Sequence, residues 1–136
     1  MRYTAIDNSV PNAVELDNIG VHRIMIDLEK IGKVDRQGHL DTVKSFTHRI
    51  SDIRKVRNVL KNAIVLVRCN PIHVYSREEI DKIIESGGQI VMLPYFKTTD
   101  EVKQFLSFID GRARTCLLVE TVGAIENIDE ILTLEG

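Results

Sequence analysis

The chain has 136 residues, with 18 Lys and Arg against 20 Asp and Glu for a net charge of −2, 43% hydrophobic residues and no Trp. That near-neutral balance carries no electrostatic footprint for nucleic acid or an anionic membrane, and no apolar run approaches the roughly 20 residues of a membrane-spanning helix. The composition suits a single globular domain over 1–136. Met1 to Thr4 lacks the apolar stretch of a secretion signal, so the cytoplasm is the expected compartment.

In chain order, Arg2 to Ile6 reads as a short strand. Ser9, followed by Pro11, starts a helix to about Asn18, and Val21 to Leu28 is the second strand. Gly32 to Phe46 is polar, glycine-bearing and without a period, the mark of a long loop. Ser51 and Asp52 open a helix to about Lys61 with Ile53, Val56, Val59 and Leu60 on one face. Ala63 to Val67, running on into Arg68, is a continuously apolar strand.

Ser76 and Glu79 form a capping-box pattern for a helix ending near Ser86. Gln89 to Leu93 is the fourth strand, and Thr98 with Glu101 is a second capping box for a helix through Ile109. Arg114 to Val119 is the last strand, and Gly123 to Leu134 the last helix. Strands that are apolar throughout are covered on both faces, as in parallel sheets. The expected fold is therefore α/β, a partial barrel with about five of eight parallel strand–helix units. An open-sheet domain binding a phosphorylated ligand near Gly123 is the alternative.

Charged residues at the ends of buried parallel strands rarely serve packing, and barrel enzymes place their active sites there. Glu120 ends the fifth strand and suits a hard cation, Mg²⁺ or Mn²⁺. Nearby Gly123 lets a ligand approach the backbone. Arg68 ends the third strand, where its planar fork can hold a carboxylate or an enolate oxygen, or pair with an acid such as Glu29. Asp27 and Glu29 point the same way and can orient a water or a metal's water shell; otherwise Asp27 caps a turn and Glu29 pairs with Arg68. Lys33, Arg36 and Gln37 can form an anion-binding lid, but such a run is more often solvated. Cys69 and Cys116 read as buried free thiols. His39 or His48 can serve as a general base, although the spacing of the four histidines does not single either out.

The segments IMIDLE (24–29), LVRCNP (66–71), GGQIVMLPYFKTTDEV (87–102) and LLVETVGAIENIDEI (117–131) together resemble the HpcH/HpaI aldolase and citrate lyase β-subunit family, which includes the malyl-CoA lyases. The resemblance implies a TIM barrel that makes or breaks a carbon–carbon bond of a 2-oxo acid, or of an acyl-CoA-type substrate, through a metal-held enolate. It makes Arg68 the substrate arginine, Glu120 one of two metal carboxylates, and Asp27 and Glu29 the acidic pair. Lys30 departs from the Asp or His common at its position, and the second metal carboxylate falls on a sixth strand beyond Gly136. Open strand edges on a partial barrel lead one to expect a homo-oligomer. The rival expectation is a non-catalytic remnant that binds a ligand or assembles, with Arg68 and Glu120 kept as a structural pair.

Overall fold

The computed structural model describes residues 1–37 and 47–136. In chain order the elements are β1 (Thr4–Ile6), α1 (Val10–Asn18), β2 (Arg23–Asp27), α2 (Lys33–Gln37), α3 (Ile50–Arg57), β3 (Ile64–Arg68), α4 (Ser76–Glu85), β4 (Ile90–Leu93), α5 (Thr99–Ile109), β5 (Arg114–Leu117), α6 (Val122–Glu126) and α7 (Ile128–Ile131). All strand pairs are parallel, and the sheet order is β1-β2-β3-β4-β5. The order never reverses, so right-handed crossovers place the helices on one face. A doubly wound sheet requires a reversal, which removes the open-sheet alternative. The five units of a barrel-type sheet expected from the sequence are what is observed.

Alternation along the strands explains the two faces. Ile24, Ile26, Val65, Val67, Val91 and Leu93 are buried under Ile53, Val56, Ile80, Ile83, Val102 and Phe105 of the helices. Each such side chain stabilises the fold by about 1.5–3 kcal/mol. The opposite face carries Met25, Leu66 and Ile90, flanked by Ile64, Met92 and Cys116. Among the described residues no helix side chain belongs to this cluster, and its centre is nonetheless buried. Arg2, beside β1, and Arg114, on β5, line one hollow. Ile6 on the β1 edge is 51% exposed.

Three local expectations change. The long loop contains α2, and its remainder, 38–46, lies outside the described residues. The Ser76–Glu79 box does not form: Tyr75 is the cap residue, while Glu79 accepts from the Asn70 side chain at 2.8 Å and meets His73 Nε2 at 2.9 Å. The last helix is two short ones, because Asn127 Nδ2 turns back to the Gly123 carbonyl at 2.8 Å and closes α6. The Thr98–Glu101 box forms as expected.

Asp17 ties the end of α1 to the approach of β3. Its buried carboxylate accepts the N–H groups of Lys61 (2.7 Å), Asn62 (3.1 Å) and Ala63 (2.6 Å). Burial pushes this carboxyl up, but the three N–H groups overturn that and hold it below its ordinary value. A lowered carboxyl stabilises the fold above the unfolded-state pKa of about 4 and loses that contribution as the pH falls through the folded value. Asp17→Ala is expected to destabilise by about 3 kcal/mol at pH 7 in urea unfolding, with the difference shrinking below about pH 4.

Candidate functional site

Asp27 and Arg68 are direct neighbours in the β2–β3 register, at the C-terminal ends of their strands. By alternation they share the concave face with Met25 and Leu66. Continuing the alternation puts Glu29 and Glu120 on the same side, since Glu120 is four residues beyond Cys116 and the Leu118 N–H still bonds the Leu93 carbonyl at 3.0 Å. The parallel sheet thus brings four of the expected site residues to one rim.

Arg68 makes its two short bonds to Asp27, Nε to Oδ1 at 2.9 Å and Nη2 to Oδ2 at 2.8 Å. Glu29, the partner suggested by the sequence, is its more distant neighbour at 3.5 Å. Among the described residues nothing engages Arg68 Nη1, so one corner of the fork is left for a ligand. Asp27 is 1% exposed; it also pairs with Lys33, accepts the Glu29 N–H at 3.2 Å, and its own N–H donates to His48 Nδ1 at 3.0 Å. Burial pushes the Asp27 carboxyl up, yet Arg68 and Lys33 prevail and hold it below the usual carboxylate range.

Glu29 is opposite in sign. Its burial raises the pKa, Arg68 and Arg36 only partly offset this, and the Asp27 and Glu120 charges add to the rise. A carboxyl that holds its proton more readily is suited to proton exchange. Burial lowers the pKa of Arg68, but Asp27, Glu29 and Glu120 together raise it, so the guanidinium stays charged. Glu120 therefore stands close enough for its charge to bear on both Arg68 and Glu29.

A physical link connects these groups. Glu120 Oε1 accepts the Tyr95 N–H at 3.0 Å. Tyr95 has φ 51°, in the left-handed region that costs a non-glycine residue about 1–2 kcal/mol. Its ring lies under the Arg36 guanidinium, 4.1 Å from the centroid, and Arg36 pairs with Glu29. The expectation that Lys33 and Arg36 are solvated is overturned: Lys33 is 1% exposed, and α2 closes both cations over the two carboxylates. A five-residue helix has no period to announce it, and these partners are set by tertiary structure.

Sequence reading also missed a support for the loop after β2. Asn70 Oδ1 accepts the N–H groups of Lys30 (2.7 Å) and Ile31 (2.9 Å), and Glu79 with His73 holds Asn70 from behind. The only local signal is an Asn before Pro71. His48 is buried with its Nδ1 taken by the Asp27 N–H; burial lowers its pKa against the pull of Asp27, Asp52 and Asp7. His39 lies outside the described residues. Cys69 is a buried thiol pushed far up by that burial, while Cys116 is half-buried on the concave face.

Gly123 has a packing reason of its own. A Cβ there meets the Lys97 carbonyl oxygen at 2.5 Å, so only glycine lets α6 approach that backbone. Gly123→Ala is expected to destabilise by about 1–3 kcal/mol, read as a lowered midpoint in thermal unfolding.

Among the described residues no three His, Cys, Asp or Glu side chains converge to cage a metal. The donors present do fit a hard cation that draws most of its ligands from water and substrate. Glu120 Oε1 is fixed by Tyr95, and among the described residues nothing engages its second oxygen.

No family profile and no curated protein matches the sequence. Solved structures do. The chain is similar to citrate synthase SbnG (TM-score 0.69, 15% identity, covering 98% of this chain and 57% of that one). It is similar to macrophomate synthase (TM-score 0.65, 12% identity, 98% and 52%). It is also similar to an HpcH/HpaI aldolase from Desulfitobacterium hafniense DCB-2 (TM-score 0.67, 14% identity, 96% and 57%). The chain has the fold of these aldolase-type barrels. It spans a little over half the length of each, matching the five units that the sheet contains. Among the described residues no helix is long and apolar enough to cross a membrane.

Proposed function

We propose that the protein is a divalent-metal-dependent aldolase or lyase that forms or breaks a carbon–carbon bond of a 2-oxo acid, or of a related acyl-CoA-type substrate. The observation that supports this best is the rim, where Arg68, Glu29 and Glu120 share the concave side at the C-terminal ends of parallel strands. Glu120 is the residue to hold Mg²⁺ or Mn²⁺, a Lewis acid that stabilises an enolate oxygen. Arg68, fixed on one edge by Asp27, offers Nη1 to the substrate carboxylate or enolate. Glu29, with its raised pKa, is placed to exchange a proton. The outer edges of β1 and β5, unpaired among the described residues, support association with another copy.

The test is release of pyruvate or oxaloacetate from a 4-hydroxy-2-oxo acid. Cleavage is expected with Mg²⁺ or Mn²⁺ and not after chelation. Cleavage that ignores chelation overturns the metal role, and no cleavage with either ion overturns the lyase reading. The rival reading, a non-catalytic assembly or ligand-binding module, draws on the tight Asp27–Arg68 pair. It predicts that neither metal shifts the melting temperature.

A further inference from the structure

At the other end of the sheet, a hollow of about 430 Å³ opens beside the N-terminal ends of the strands. Arg23 and Asp27 are four residues apart on β2, so this hollow lies about 13 Å from the acidic rim. Its lining includes Arg2, His22, Arg23, Asn62 and Arg114, drawn from segments far apart in sequence, and among the described residues no acidic side chain. Among the described residues none of the three guanidiniums has an ion-pair or hydrogen-bond partner, unlike Arg36, Arg68 and Arg112, which all pair with carboxylates. Arg23 is half-buried and by alternation shares the strand face of Met25 and Asp27, and its charge partly offsets the rise that burial causes in the Cys116 thiol. The Tyr3 N–H donates to His22 Nδ1 at 3.2 Å, so the neutral ring carries its proton on Nε2.

The backbone N–H groups of Gly20, Val21, His22, Arg23, Ile64 and Arg114 are already bonded to carbonyl oxygens. What remains is a set of side-chain donors with three positive charges that no described residue neutralises. Guanidinium forks match the geometry of oxyanions and gain strength when several converge. The volume is within the range of small-ligand sites.

We infer that this hollow binds a small, multiply charged oxyanion, a phosphate-bearing or polycarboxylate ligand, at the end of the sheet opposite the acidic rim. The site is independent of the proposed lyase reaction. The test is calorimetric titration with inorganic pyrophosphate in metal-free buffer at constant ionic strength. Saturable one-to-one binding is expected. Arg23→Gln and Arg114→Gln should each weaken it by about tenfold. Both variants should keep the wild-type melting temperature without ligand, because neither guanidinium has a partner among the described residues. Amide chemical shifts at Gly20 and Arg114 should move with pyrophosphate while those at Arg68 stay still. Absence of saturable binding, or binding unchanged in both variants, overturns the inference; the former is what results if these arginines instead meet carboxylates of another polypeptide.

Discussion

Asp27→Leu is expected to destabilise the fold by about 3–5 kcal/mol, lowering the melting temperature by about 10–20 °C. Asp27 is almost wholly buried, and three groups depend on it: Arg68 through two bonds, Lys33 through an ion pair and the Glu29 N–H. Removing the carboxylate takes the shared partner from both Lys33 and Arg68 at a buried strand end and leaves Arg68 with the more distant Glu29, which costs more than deleting a whole pair. Combining Asp27→Leu with Arg68→Met should therefore recover part of the loss, a coupling that a double-mutant cycle in urea reads directly.

The same groups set the acid response. Asp27, Asp17 and Asp52 all have lowered pKa values, so their stabilisation is present above the ordinary carboxylate value of about 4 and is lost as the pH falls through the folded values. Glu29, with its raised pKa, works the other way: its contribution is complete below the ordinary value and is lost as the pH rises through the folded one. The wild type should lose stability below about pH 4; Glu29→Gln should differ from it above that pH, lacking the loss that the wild type shows as the pH rises through the folded Glu29 value.

The second large effect is on chemistry. Glu120→Ala is expected to lower kcat for metal-dependent cleavage by about 10³-fold, since a Lewis acid contributes several kcal/mol to the charge developing on an enolate. Glu120 is exposed and its one hydrogen bond among the described residues is from the Tyr95 N–H, so the melting temperature should hardly move. Loss of rate with an unchanged fold separates this residue from Asp27, whose replacement changes both. Equal cleavage by Glu120→Ala and the wild type contradicts its role.

Much of this architecture was legible in the sequence for a simple reason. Buried parallel strands are apolar on both faces, so Ile24 to Ile26, Val65 to Val67 and Ile90 to Val91 stand out without any partner being known. The i, i+2 rule was enough to put Asp27 and Glu29 on one side. What the sequence lacked was register. The pairing of Asp27 with Arg68 depends on β2 lying beside β3, and the closing of Lys33 and Arg36 over the rim depends on a five-residue helix with no periodic signal. Glu79 shows the same gap, because a capping-box pattern cannot reveal that Asn70 and His73 claim the carboxylate first.

Solvent exchange of the pyruvate methyl protons tests the central claim most directly, since it reports enolate formation without any second substrate. Followed by proton NMR in deuterium oxide, the wild type should exchange these protons with Mg²⁺ or Mn²⁺ present, and Glu120→Ala and Arg68→Ala should not. If neither metal promotes exchange by the wild type, or if both variants exchange as fast as it does, Arg68 and Glu120 do not act together on a 2-oxo acid.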